Sequence, residues 1–151
     1  MNMKLQIAAA AVLTSALSTP ALAQFSKAED AIKYRESAMV LLGSHFGRMA
    51  PVAKKEIPYD KDQIRENVAL LNVLATLPWA GFGPGTEGGE ARDDIWLDPE
   101  GFKQAQDELH GNLKKLTAAA DAGDFDAFRV AFGAVGKSCK SCHDSYREKK
   151  K

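Results

Sequence analysis

The chain has 151 residues, carries twenty acidic and twenty basic side chains, and contains only two cysteines. That length suits one domain once any targeting segment is set aside. Balanced charge gives no case for nucleic acid or an anionic membrane as partner, and two cysteines are too few for a disulfide framework.

Residues 1–23 have the build of a secretory signal peptide. Lys4 supplies the positive start, an Ala/Leu/Val-rich stretch from about Leu5 to Leu17 the apolar core, and Ala21-Leu22-Ala23 an A-x-A cleavage site. The apolar core is too short to span a bilayer comfortably. The expected mature protein is exported, begins at Gln24, and forms a single domain over residues 24–151.

Four helices are expected in that domain. The first opens on a capping box, Ser26-x-x-Glu29, and carries the stripe Ile32, Met39, Leu42, Phe46 and Met49 at helical steps. Pro51 and Pro58 bound the linker after it. The second starts from Asp60, with Gln63 placed to reach back to the cap. Its stripe is Ile64, Val68, Leu71, Leu74 and Ala75, and Pro78 ends it. The third has Asp98 as N-cap and Pro99 at its first position. Phe102, Ala105, Leu109, Leu113 and Leu116 face inward, and Gly123 suits the residue after its end. The fourth follows Asp124, with Phe125, Phe128, Phe132, Val135, Cys139, Cys142 and Tyr146 on one side. No segment alternates with a strand-like period. Short links from the first helix to the second and from the third to the fourth predict an antiparallel bundle, whose core is a usual place for a cofactor. Residues 78–98 hold Gly81-Phe82-Gly83-Pro84-Gly85 and then Gly88-Gly89. That connection is long for a bundle, and long connections are often functional.

The fourth helix ends in Cys139-Lys140-Ser141-Cys142-His143. C-x-x-C-H is the attachment signature of a c-type haem: two thiols add to the two vinyl groups and the next residue sets an imidazole under the iron. Other readings are weaker. No βαβ pattern surrounds the motif as in a thioredoxin-like C-x-x-C. A structural zinc site wants four ligands, and only His45 and His110 remain to complete one. A simple disulfide of an exported protein stays open. With haem at His143, any second axial ligand must come from upstream. The basic tail Arg147-Glu148-Lys149-Lys150-Lys151 reads as a solvated helix end that suits the helix dipole.

The first helix holds a second oddity. Arg35 shares a stripe with Ile32, Met39 and Leu42, and a charge facing the core needs an anion. It either snorkels from the stripe edge to water or pairs with a haem propionate, which arginine grips bidentately; the haem motif favours the propionate. Met39, one turn on, can ligate the iron through its thioether or pack over the open face, and methionine on an apolar stripe is usually core. Gly43 and Gly47 are poor helix formers, which points to a packing role for their small size.

Several stretches resemble the cytochrome c′ family, the high-spin class II c-type cytochromes of bacterial periplasms. They are Tyr34-Arg35-Glu36-Ser37-Ala38-Met39, Ser44-His45-Phe46-Gly47-Arg48-Met49, Leu77-Pro78-Trp79, Phe82-Gly83-Pro84-Gly85-Thr86-Glu87-Gly88-Gly89 and residues 139–147. The resemblance implies an all-α, antiparallel, left-handed four-helix bundle with one covalently bound haem c. It implies Cys139 and Cys142 as attachment sites, His143 as sole protein ligand of a five-coordinate iron, and Met39 as a distal residue that blocks without binding. Arg35 and Glu36 match pocket positions near the propionates, Glu90 a pocket residue in the glycine-rich loop, and Arg147 a basic residue on the proximal side. Trp79, Phe82 and Thr86 belong to the matched pocket stretches. Some members carry Gln where Glu36 stands. A homodimer through the first and second helices and a periplasmic location are also implied.

Three function classes follow. A five-coordinate iron beside Met39, which offers no hydrogen-bond donor, favours nitric oxide and carbon monoxide over dioxygen. A six-coordinate His143–iron–Met39 haem makes a low-spin electron carrier, working with an unidentified periplasmic redox partner. An enzyme ranks last, because nothing supplies a distal acid–base pair of the peroxidase kind.

Overall fold

The computed structural model describes residues 25–149; the expected signal peptide and its cleavage site lie outside them. The described chain is a four-helix bundle. Its long helices are α1 (Ala28–Gly47), α3 (Lys61–Leu74), α5 (Pro99–Ala122) and α6 (Phe125–Tyr146). Two single-turn helices, α2 (Ala50–Ala53) and α4 (Asp94–Leu97), and a 3-10 turn (Pro78–Phe82) occupy the connections. Among the described residues there is no strand, only an isolated antiparallel bridge between Ala91 and Arg147. No helix among them is long and apolar enough to cross a membrane.

Three of the long helices begin where the sequence sets a cap. The Asp60 carboxylate accepts from the backbone N–H of Asp62 (3.0 Å) and Gln63 (3.1 Å). Gln63 does reach back, but to the Asp60 side chain at 3.2 Å, not to its backbone. Asp98 accepts from Gly101 N–H at 3.0 Å with Pro99 in the first turn. Asp124 accepts from Ala127 N–H at 2.9 Å. Gly123 closes α5 at φ 72°, the left-handed conformation that glycine adopts without strain.

The first helix departs from expectation. It starts at Ala28 with Lys27 as N-cap and no side-chain cap. Ser26 therefore sits one place too early, and Glu29 falls in the first turn instead of at the end of a capping box. Its end differs as well. Met49 lies past the helix, before α2, yet is 1 % exposed in the core. The second long helix stops at Leu74, before Pro78 could forbid it, and Pro78 opens the 3-10 turn instead.

The core is built from Met49, Val68, Leu71, Leu113, Leu116, Phe128 and Val135, all nearly or fully buried. α5 packs tightly on α6 and on α3, and α3 packs on α1. α1 and α6 meet at a stack of Phe46 on Phe132, with ring centroids 4.2 Å apart. Toward the other end a cavity lies between them, lined by residues of both helices. On α1 the fully buried positions are Ala31, Arg35, Ala38 and Leu42, while Ile32, Met39 and Phe46 are half-buried. Ile32 packs under the glycine-rich loop; Met39 and Phe46 face the cavity.

Candidate haem site

The cavity encloses about 530 Å³, within the range of about 300–1,000 Å³ common for cofactor sites. One wall is α6. Val135, Cys139, Cys142, His143 and Tyr146 recur at helical steps, so one face of the helix presents all of them to the cavity. The opposing contribution comes from α1, with Arg35, Glu36, Met39, Val40, Gly43 and Phe46. Trp79 and Phe82 from the 3-10 turn, and Glu90 from the loop, complete the expected set, with Arg147 at the end of α6. Thr86 alone among the sequence-based candidates is absent from the lining. It stands one layer behind, where its hydroxyl donates to Gly83 O at 2.7 Å and its own carbonyl receives Arg35.

Cys139 and Cys142 are not joined in a disulfide. Burial pushes the Cys139 thiol up, and burial together with its neighbour pushes Cys142 up to about 11. Burial, aided by the Arg147 guanidinium, lowers the His143 pKa, with Asp144 and Glu90 opposing. The imidazole is therefore neutral at neutral pH, the form whose ring nitrogen can donate a lone pair to a metal.

Arg35 is 2 % exposed. It does not snorkel to water. One terminal nitrogen donates to the carbonyls of Gly81 and Thr86, both at 2.7 Å, and the other to the carbonyl of Gly88 at 2.6 Å. The guanidinium also lies over the Phe82 ring (4.7 Å) and the Trp96 ring (5.6 Å). Burial lowers its pKa while Glu36 and Glu87 oppose; a guanidinium stays charged throughout the neutral range. The expected anion is thus partly replaced by three carbonyl dipoles. They occupy three of the five N–H groups of the guanidinium. Gly81 is a requirement of this cradle: a Cβ there would stand 2.7 Å from the Ala31 carbonyl oxygen and 2.8 Å from Arg35 Cβ.

The loop that Arg35 anchors is stitched on its other side to the end of α6. Arg92 N–H donates to Tyr146 O at 3.0 Å, and Glu148 N–H to Glu90 O at 2.9 Å. One connection therefore ties both walls of the cavity together, in keeping with the length of residues 78–98. Gly43 lines the cavity, but neither Gly43 nor Gly47 is approached within 4 Å of where a Cβ would be. The packing role expected of them is not met within this chain.

Ile95, Phe102, Ala105 and Leu109 also line the site. The helical periodicity marks the α5 residues as inward-facing, but not that they face a cavity instead of side chains. The remaining lining is mostly aliphatic and aromatic. No His, Cys, Asp or Glu cluster able to hold a metal by itself occurs among the described residues. The donor set instead suits a flat apolar group anchored through two sulfurs, with one imidazole for its metal and cationic donors for its acidic edge.

Comparisons with known proteins agree with this chemistry. The sequence model of the family described as "Cytochrome C'" matches residues 30–147. Cytochrome c′ of Alcaligenes xylosoxydans xylosoxydans is 61 % identical over 127 residues, covering 84 % of this chain and all of the relative. Cytochrome c′ of Rubrivivax gelatinosus is 45 % identical over 129 residues, covering 83 % and 100 %. A solved nitric oxide complex of a variant of the Alcaligenes xylosoxidans protein superposes with a TM-score of 0.83, at 61 % identity, over 84 % of this chain and all of that one. The cofactor of such proteins is a c-type haem. With a matching fold, one C-x-x-C-H segment and a cavity behind it, the chain belongs to the cytochrome c′ family.

Proposed function

We propose that the mature chain is a periplasmic mono-haem cytochrome that binds nitric oxide and carbon monoxide and can also carry an electron. The observation that carries this reading is that Met39, with no hydrogen-bond donor, lines the same cavity as Cys139, Cys142 and His143. When bound, the haem supplies a redox-active iron with room for an axial ligand.

The chain's residues divide the remaining work. Cys139 and Cys142 fix the group to α6 through thioethers. Neutral His143 would hold the iron as its one protein ligand. Arg35 and the loop it holds present cationic and N–H donors to the propionates, with Glu36, Glu90 and Arg147 setting the charge at that edge. Met39, Trp79 and Phe82 form an apolar wall that excludes water and offers dioxygen no donor. A ligand that needs little hydrogen bonding is favoured there. The nitric oxide complex of the 61 % identical neighbour supports this choice of ligand.

Export rests on the signal-peptide pattern of residues 1–23. The apolar side chains Val40 and Leu41 on α1 and Leu70 and Val73 on α3 remain exposed, which supports a homodimer through these two helices. A six-coordinate His143–Met39 electron carrier is the second reading, favoured by the thioether's place in the cavity lining. Replacing Met39 by Ala separates the two. A capping role predicts faster carbon monoxide association by about tenfold or more, since about 1.4 kcal/mol of lost steric hindrance is a factor of ten, with high spin before and after. A ligating role predicts a change from low to high spin in the variant.

A further inference from the structure

We propose that His110 is a positioning residue for the gas-binding wall, acting through Trp79. His110 sits half-buried on α5, outside the cavity lining. Its Nε2 accepts the indole N–H of Trp79 at 3.2 Å. An indole nitrogen only donates, so this bond requires an unprotonated Nε2 and places the ring proton on Nδ1.

Trp79 lines the cavity and stands in the 3-10 turn two places before Gly81. Its ring is otherwise held by shape alone. It packs edge-on against Phe102 (centroids 6.0 Å, 76°) and His110 (6.1 Å, 71°), and at a tilt against Phe82 (6.4 Å). Such contacts tolerate tilting and sliding; a directional hydrogen bond does not. His110 therefore fixes the angle of the indole. Because the same turn supplies the Gly81 carbonyl to Arg35, His110 also steadies the cradle of that guanidinium. Leu in its place would fill volume but leave a half-buried donor without its partner.

The inference rests on the gas-binding reading for its kinetic arm, and the spectroscopic arm is independent of it. The holoprotein is compared with His110→Leu and His110→Gln, whose amide oxygen can stand where Nε2 stood. Ultraviolet resonance Raman reads the indole N–H band, with Trp79→Phe separating Trp79 from Trp96. Flash photolysis reads carbon monoxide rebinding. His110→Leu should move the Trp79 band to that of an unbonded indole and change the association rate by about threefold to tenfold, the worth of one hydrogen bond. Gln should restore both, and in a Trp79→Phe background His110→Leu should change nothing further. An unmoved band in His110→Leu, or an equal rate change in the Trp79→Phe background, overturns the proposal. Should the Leu variant not accumulate, His110→Asn, polar but too short to reach the indole, takes its place. If the wild type binds no carbon monoxide, the gas reading fails while the indole band still decides the role of His110.

Discussion

Arg35→Leu removes the guanidinium through which α1 hydrogen-bonds the Gly81, Thr86 and Gly88 carbonyls. Its magnitude can be worked from three carbonyls. The Gly81 oxygen lies in a buried bond, whereas those of Thr86 and Gly88 are in partly buried ones that water can reach on relaxation. A buried acceptor deprived of its donor costs about 1–3 kcal/mol. The Thr86 hydroxyl stands 3.2 Å from the Gly81 oxygen and can serve it once the guanidinium is gone, so about 1 kcal/mol for each of the three carbonyls gives a loss of about 3 kcal/mol. The leucine stem replaces most of the apolar contact, so little is added by packing. For a domain of this size the loss lowers the Tm by about 12 °C. The assay is thermal and denaturant unfolding of the purified holoprotein followed by far-ultraviolet circular dichroism. Arg35→Lys keeps a charge and three donors without the planar fork, and should lose about half as much. A Leu variant within about 1 kcal/mol of wild type would refute the claim that these carbonyls depend on Arg35.

Further outcomes are expected elsewhere in the molecule. The Tyr59 hydroxyl is buried without a hydrogen-bond partner, beside the rings of Phe125 and Phe128; Tyr59→Phe should therefore stabilise the protein by about 1 kcal/mol, measured as a higher denaturation midpoint at unchanged slope. Cys139→Ala and Cys142→Ala should each leave at most one thioether, seen as lower holoprotein yield. Extraction of haem from the wild type by acid–acetone would contradict covalent attachment.

What could be read in advance was local. Asp60, Asp98 with Pro99, and Asp124 act within three residues of themselves, so their caps are visible in a short window. Ser26 and Glu29 show the same pattern, yet the helix begins one residue late, at Ala28, with Lys27 as its N-cap. The C-x-x-C-H run is legible because its spacing is chemical. Arg35 was conspicuous as a charge on an apolar stripe, but its partners were not. Backbone carbonyls of Gly81, Thr86 and Gly88 have no signature of their own, and they lie 46 to 53 residues along the chain. The Trp79–His110 bond is hidden for the same reason, its donor and acceptor 31 positions apart. Phe46 and Phe102 share the periodicity of ordinary core residues, and periodicity cannot tell a wall that meets another side chain from one that meets a cofactor.

The most direct test of the account is the absorption spectrum of the purified protein, oxidised and reduced, with and without carbon monoxide. If His143 is the sole protein ligand and Met39 only caps the open face, both oxidation states are high-spin, and carbon monoxide binds the reduced protein without displacing a side chain. A low-spin resting spectrum with the sulfur-to-iron charge-transfer band of His–Met ligation, and slow carbon monoxide binding limited by loss of Met39, would contradict it and make electron transfer the function of the site.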